Sequence, residues 1–130
     1  MGIAKFEELE NMLFNICLYV DNVLENEFGS TYTVHPNRPS RGKSANGISD
    51  GLFSVTTSFT PGYGSNFGRG YLIIIDIITL DIVNIEFRMK VINRGISVFK
   101  EKLREKFPGK KLFVVHDINV YKIIGDFFNN

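Results

Sequence analysis

Residues 52–80 read LFSVTTSFTPGYGSNFGRGYLIIIDIITL, and this stretch decides the fold. In residues 52–59 a largely apolar face alternates with a hydroxyl-rich face, which predicts a strand covered on one side. Residues 71–80 are apolar on both faces apart from Asp76, which predicts a central strand. The glycine-rich residues between them therefore favour a long hairpin.

Two helices flank this hairpin in the chain. Apolar residues recur at spacings of three and four through residues 3–28, which predicts an amphipathic helix with a wide apolar belt. The same spacing runs from Ile85 to Phe107, and Asn84 before it is a suitable N-cap. Pro108 and Gly109 predict where this second helix ends.

Three further short runs have the composition of strands. They are residues 31–35 (TYTVH), 111–116 (KLFVVH) and 120–124 (VYKII), the last two separated by a short turn. The element order is then α-β-β-β-α-β-β. We expect an α+β fold of two layers, in which two helices cover a mainly antiparallel, five-stranded sheet.

Composition and length fit one domain over residues 1–130. The chain is 44% hydrophobic and 22% charged, as in ordinary globular proteins, and its net charge of +1 favours neither nucleic acid nor a membrane as partner. A single cysteine cannot form an internal disulfide, and we find neither a secretory signal nor an apolar run long enough to cross a bilayer. We therefore expect a cytoplasmic protein.

The glycine-rich stretch 60–71 is the first candidate for a ligand site. Its spacing, G-x-G-x-x-x-G-x-G, matches neither a dinucleotide fingerprint nor a Walker loop, and a strand rather than a helix follows it. Its backbone N–H groups and Arg69 could bind an anion, and its rings could stack on a base. Alternatively, the glycines serve only to turn the chain. The candidate ligand-binding residues are Gly62, Tyr63, Gly64, Phe67, Gly68, Arg69, Gly70 and Tyr71.

The polar loop 36–50 is a second, basic candidate. Arg38, Arg41 and Lys43 precede its only acid, Asp50, so the loop could bind phosphate or an acidic partner. A solvated, mobile loop is the alternative. The two loops are expected at opposite ends of the strand at residues 52–59, which argues against one shared site.

Catalytic and metal-binding patterns are missing from the sequence. Two histidines and one cysteine occur without metal-ligand spacing, so we predict no catalytic residue, no metal and no cofactor. Cys17 lies in an apolar helical run and is expected to be buried and inert. Asp76 is either an ionisable group with a raised pKa inside a core-like strand or, more simply, a residue that faces the open side of the sheet or pairs with a lysine or arginine.

These observations favour binding over catalysis. The wide apolar belt of the first helix and the aromatic tail at residues 126–130 exceed what one thin sheet must cover, which predicts a homodimer or another protein partner and a non-enzymatic role. Charge is also uneven, because residues 1–30 hold six acids and one lysine whereas residues 76–111 hold nine basic and five acidic groups. The alternative function is anion or nucleic-acid binding through the loop 60–71, helped by the basic loop 36–50.

Overall fold

The computed structural model describes residues 3–43, 50–117 and 119–127, without the side chains of residues 3–5. Its sheet has the strand order β1-β2-β4-β3, and all neighbouring strands are antiparallel. The elements in chain order are α1 (Ile3–Phe28), β1 (Phe53–Thr60), β2 (Gly70–Ile77), α2 (Ile85–Lys106), β3 (Leu112–Asp117) and β4 (Val120–Gly125).

The described sheet therefore has four strands in the order α-β-β-α-β-β, and the prediction of five strands is wrong. Residues 31–35 run beside the chain that follows β2 but do not form a ladder with it. Only one backbone bond joins the two segments, from the N–H of His35 to the carbonyl of Ile78. The other links use side chains, since Asp81 accepts from the N–H of Thr33 and the Thr79 hydroxyl donates to the Thr33 carbonyl. A β-branched composition predicts an extended chain, whereas a strand also needs a continuous backbone partner.

The hairpin predicted for residues 52–80 is present. Strands β1 and β2 pair along their full length, from Phe53 opposite Ile77 to Thr60 opposite Gly70. The ladder ends at the Phe53–Ile77 pair, and one further backbone bond follows, from the N–H of Ile78 to the carbonyl of Leu52 at 2.7 Å. Residues 78–80 of the predicted central strand are therefore connection.

The start of α2 and its close packing on the sheet each have an identifiable cause. The side chain of Asn84 accepts hydrogen bonds from the N–H groups of Glu86 and Phe87, so it caps the N-terminus of α2 as the sequence predicts. Gly95 allows α2 to approach the sheet closely, because a Cβ there would lie 2.6 Å from Cδ1 of Ile75.

The inner face of the sheet and the two helices enclose the core. Paired residues project to the same face, so Phe53, Val55, Ile73 and Ile123 all point towards the helices. The residues buried between the layers come from every element except β3. They are Leu9, Leu13, Ile16, Cys17, Val20, Leu24, Leu52, Phe53, Val55, Tyr71, Ile73, Val91, Ile96, Val98, Phe99, Leu103, Phe107 and Ile123.

The outer face of the sheet has no helix on it in the described part of the chain. The register places Ser58 beside Leu72 and Leu72 beside Lys122, so all three project outward. Asp76 lies exposed on this same face, as the simpler of its two interpretations predicts.

Candidate functional site

The glycine-rich loop folds back over the outer face of the sheet and is fastened there. The ammonium group of Lys122 donates to Oγ of Ser65 at 2.9 Å and to the carbonyl of Gly68 at 2.7 Å. It also forms an ion pair with Asp117 at 3.0 Å. Ser65 in turn donates its hydroxyl hydrogen to Asp117 and accepts from the N–H of Phe67. We call Ser65, Gly68, Asp117 and Lys122 the loop latch.

The side-chain donors of the loop latch are all used within the latch. Lys122 is 2% exposed, and its three N–H groups are all used within the latch. The Ser65 hydroxyl likewise gives its one hydrogen and accepts twice. Hydrogen bonds from Ser65 and Lys122 lower the pKa of Asp117, so this carboxylate stays ionised beside the ammonium group.

The glycines of the loop serve its backbone geometry. Gly62, Gly64 and Gly68 have φ of 77°, 80° and 75°, in the left-handed region that other residues avoid. A Cβ on Gly62 would lie 2.0 Å from the carbonyl oxygen of Gly68, so the two ends of the loop touch. A Cβ on Gly70 would lie 2.2 Å from the carbonyl oxygen of Ile123 on β4, so the backbone there is also closely packed.

The structure separates the predicted rings of this loop. Tyr63 is 93% exposed, Phe67 is 43% exposed, and Arg69 is exposed as well. Tyr71 instead points to the inner face, where its ring meets Phe59 and Phe127 edge to face. Burial, together with the nearby Glu10 carboxylate, raises the pKa of Tyr71 to about 12. Tyr71 therefore belongs to the core and not to a ligand surface.

Both arginines of the basic loop donate hydrogen bonds to other parts of the chain. Arg38 is half-buried and donates to the carbonyls of Asp50, Gly51 and Phe53. Arg41 donates to the side chain of Asn22 on α1. Residues 44–49 of this candidate loop lie outside the described residues. Within its described part, Lys43 is exposed.

A buried acidic cluster on α1 lies beside the start of β1, and the sequence pattern does not predict it. The Glu25 carboxylate accepts from the N–H of Phe53 at 2.9 Å, and burial raises the pKa of Glu25. Asp21, one turn earlier, is 4% exposed, and its Oδ1 accepts no hydrogen bond from the described chain. Burial, followed by the charges of Glu25 and Asp50, raises the pKa of Asp21 to about 7. On sequence grounds Asp21 and Glu25 belong to the polar face, although they follow Cys17 at spacings of four along one stripe.

The buried thiol of Cys17 completes this stripe. Burial raises the pKa of Cys17 to about 12, which suppresses the reactive thiolate. Across residues 3–43, 50–117 and 119–127, no three histidine, cysteine or acidic side chains are arranged to hold a metal ion. No helix in those same ranges combines the length and apolarity that a membrane crossing requires.

Four exposed apolar side chains lie where β2 leads into α2. We call Leu80, Ile82, Ile85 and Met89 the apolar end surface. Their exposed fractions are 70%, 97%, 71% and 58%, respectively. Isolated exposed apolar residues are common, whereas four within ten residues of one connection are not.

An apolar groove continues the apolar end surface. Ile92 and Ile96 follow Ile85 and Met89 on the same stripe of α2 and line a cavity of about 200 Å³. The opposite wall is formed by Ile73, Ile74, Ile75, Asn119, Val120 and Tyr121. This groove exists because β4 begins only at Val120, so β2 runs on without a strand beside its last residues.

Comparison with known proteins identifies relatives of the chain. A family model described as an uncharacterised protein matches residues 4–125. The chain belongs to this family. It is 66% identical over 128 residues to an uncharacterized protein of Borreliella burgdorferi, and the match covers 98% of this chain and 100% of that protein. No solved structure matches the chain.

The sequence pattern of this family member predicts burial, not exposure, for part of the apolar end surface. Ile85 and Met89 belong to the periodic stripe that continues through Ile96, Phe99 and Leu103, and such a stripe predicts that all five residues face the core. The sheet covers only the later half, where those three residues are buried.

Proposed function

We propose that this protein works by protein–protein association, and that two copies of the chain bind each other through the apolar end surface. The observation that carries the proposal is the exposure of four large apolar side chains that lead into an apolar groove. Contiguous exposed apolar surface is costly in water and commonly marks an interaction site.

A second copy of the chain suits this surface because the surface carries one acidic and one basic residue that can pair between two copies. Glu86 and Arg88 are exposed at the start of α2, and neither has an ion-pair partner within the described residues. In a two-fold interface the same patch meets itself, so Arg88 of one copy can approach Glu86 of the other. The net charge of +1 gives little repulsion between copies.

The hydrogen bonds made by the polar side chains of the two candidate loops also favour association over catalysis. In the part of the chain that the structure describes, the side-chain donors of the loop latch bond within the latch, and Arg38 donates to backbone carbonyls. The exposed side chains that remain have the composition of an interface rather than of an active site. The buried cysteine supports a reducing compartment, and the cytoplasm remains our proposed location.

Sedimentation velocity over a range of micromolar concentrations tests the proposal. We expect the wild-type chain to form a dimer, and Ile82→Glu and Ile85→Glu to sediment as monomers. Both side chains are mostly exposed in one copy, so the thermal melts should match wild type to within about 0.5 kcal/mol of unfolding free energy. Phe14→Glu is the control, because Phe14 is a half-exposed ring on α1, away from the apolar end surface.

Two results would refute this proposal. A wild-type chain that stays monomeric throughout the concentration range would remove the dimer. A dimer that survives Ile82→Glu and Ile85→Glu but is lost in Phe14→Glu would place the interface on α1.

A further inference from the structure

We infer that the glycine-rich loop and the adjoining outer face of β1 form a binding site for single-stranded nucleic acid. The inference is independent of the proposed dimer, because the apolar end surface lies at the opposite end of β2. It rests on three features of the outer face: a fastened loop, the free groups that the loop presents, and a row of hydroxyls beside it.

The loop is held in one conformation before any ligand arrives. The loop latch fixes Ser65 and Gly68 to β4 and β3, and the N–H of Ser65 donates to the carbonyl of Gly62 at 3.0 Å. Contact between Gly62 and Gly68 then closes the base of residues 63–67. A loop backbone that is already fixed loses little conformational freedom on binding, which favours affinity.

The groups that the loop leaves free suit stacked bases and a phosphate. Tyr63 and Phe67 lie within this closed segment and expose their rings. Arg69 is exposed, and no hydrogen bond or ion pair joins it to the described part of the chain. Rings with a guanidinium beside them bind single strands of any sequence, because every base has a face that can stack. No acidic residue lies between Asp50 and Asp76, and Asp117 is neutralised by Lys122.

The hydroxyl row extends from the loop along the outer face of β1. Its members are Ser54, Thr56, Ser58 and Thr60, which alternate with the inward-facing residues of the strand. Hydroxyls of serine and threonine commonly bond to the phosphates and sugars of nucleic acids. Asp76 lies opposite Ser54, so its carboxylate would repel a phosphate at the far end of the row. The site therefore begins at the loop, and Asp76 limits how far it extends along β1.

Only Arg69 is available as a free cation in the loop, and this sets the expected salt dependence. One phosphate contact on a single strand gives a slope of about −0.7 in log affinity against log salt. A rise from about 50 to about 200 mM salt should therefore weaken binding only roughly threefold. Most of the affinity should come from the rings, so removing one of them should weaken binding about five- to a hundredfold.

The test is fluorescence anisotropy with labelled single-stranded oligodeoxyuridine and oligouridine, and with a DNA duplex for comparison. We expect both single strands to bind and the duplex to bind more weakly. Tyr63→Ala and Phe67→Ala should lose affinity, Arg69→Gln should abolish the salt slope, and Asp76→Asn should strengthen binding. The control variants are Phe14→Ala, whose ring is as exposed as that of Phe67, and Arg104→Gln, which removes an exposed cation from the helical side.

The difference between the two single strands shows whether the sugar 2′-hydroxyl contributes, and either preference supports the site. The inference is overturned if neither single strand binds at low salt. It is also overturned if Tyr63→Ala and Phe67→Ala bind as tightly as Phe14→Ala, because binding would then not use the loop. Failure of the dimer experiment would leave these outcomes unchanged.

Discussion

Replacing Asp21 by asparagine should make the protein more stable at alkaline pH and remove a large part of its pH dependence. Asp21 is 4% exposed in the acidic cluster, and the neighbouring charges of Glu25 and Asp50 add to the effect of burial. All three raise the pKa of Asp21, so the folded state holds this proton more tightly than the unfolded state does.

The magnitude follows from the two pKa values. The ordinary value of 3.8 rises to about 7 in the folded protein. A tenfold change in proton affinity corresponds to about 1.4 kcal/mol, so ionising Asp21 lowers the free energy of unfolding by about 4 kcal/mol above pH 7. This loss begins near pH 4, where the unfolded state starts to release the proton, and is complete once the pH exceeds about 7. The buried amide of asparagine costs about 1–2 kcal/mol if it lacks a partner, which leaves a net gain of about 2 kcal/mol at pH 8.

Urea unfolding followed by circular dichroism, at several pH values between 4 and 8, measures this effect. Asp21→Asn should be more stable than wild type at pH 8 and no more stable at pH 4. Asp76→Asn is the matched control, because it removes an equal charge from an exposed position. The reasoning fails if Asp21→Asn keeps the full wild-type pH dependence, or if wild type grows more stable relative to this variant as the pH rises.

Two predictions concern the glycine-rich loop. Gly62→Ala should lower the free energy of unfolding by about 2 kcal/mol or more, because the methyl group would meet the carbonyl of Gly68 in a left-handed backbone. Gly64→Ala has the same backbone strain but an open environment, so urea unfolding should show a loss of only about 1 kcal/mol, and equal losses would contradict the packing. Lys122→Met should free the loop and leave Asp117 without its ion pair, so chymotrypsin should cleave after Tyr63 faster than in wild type. Unchanged cleavage would mean that the loop latch does not hold the loop.

Much of the fold could be predicted because its signals are local. Periodicity of three and four marks both helices, and alternation with glycine-rich punctuation marks the β1–β2 hairpin. The prediction of a fifth strand is wrong because residues 31–35 have strand composition but form mostly side-chain hydrogen bonds with the neighbouring segment. Strand formation depends on a backbone partner, and no property of those five residues supplies one.

The candidate sites depend on contacts between distant residues, so the sequence could predict them only in part. Exposure of Tyr63, Phe67 and Arg69 agrees with a surface loop, but the loop latch joins Ser65 to Lys122 across 57 residues. In the sequence, Lys122 is one polar residue within an apolar strand.

Contacts with distant residues also decide which side chains are buried in the apolar stripe of α2 and in the acidic cluster of α1. Ile85 and Phe99 follow one helical period, and the lengths of β2 and β4 decide which of them the sheet covers. Asp21 and Glu25 look solvent-exposed by composition, and only the position of Phe53 against α1 shows that they are buried.

The most direct test of association is an NMR dilution series on the isotope-labelled wild-type chain. Backbone amide signals are recorded from several hundred micromolar down to about the dimer dissociation constant, where half of the chain is monomeric. We predict that the signals that shift belong to residues 80–96 and to the facing groove residues Ile74 and Val120. Spectra that do not change with concentration, or shifts confined to α1, would contradict the proposed interface.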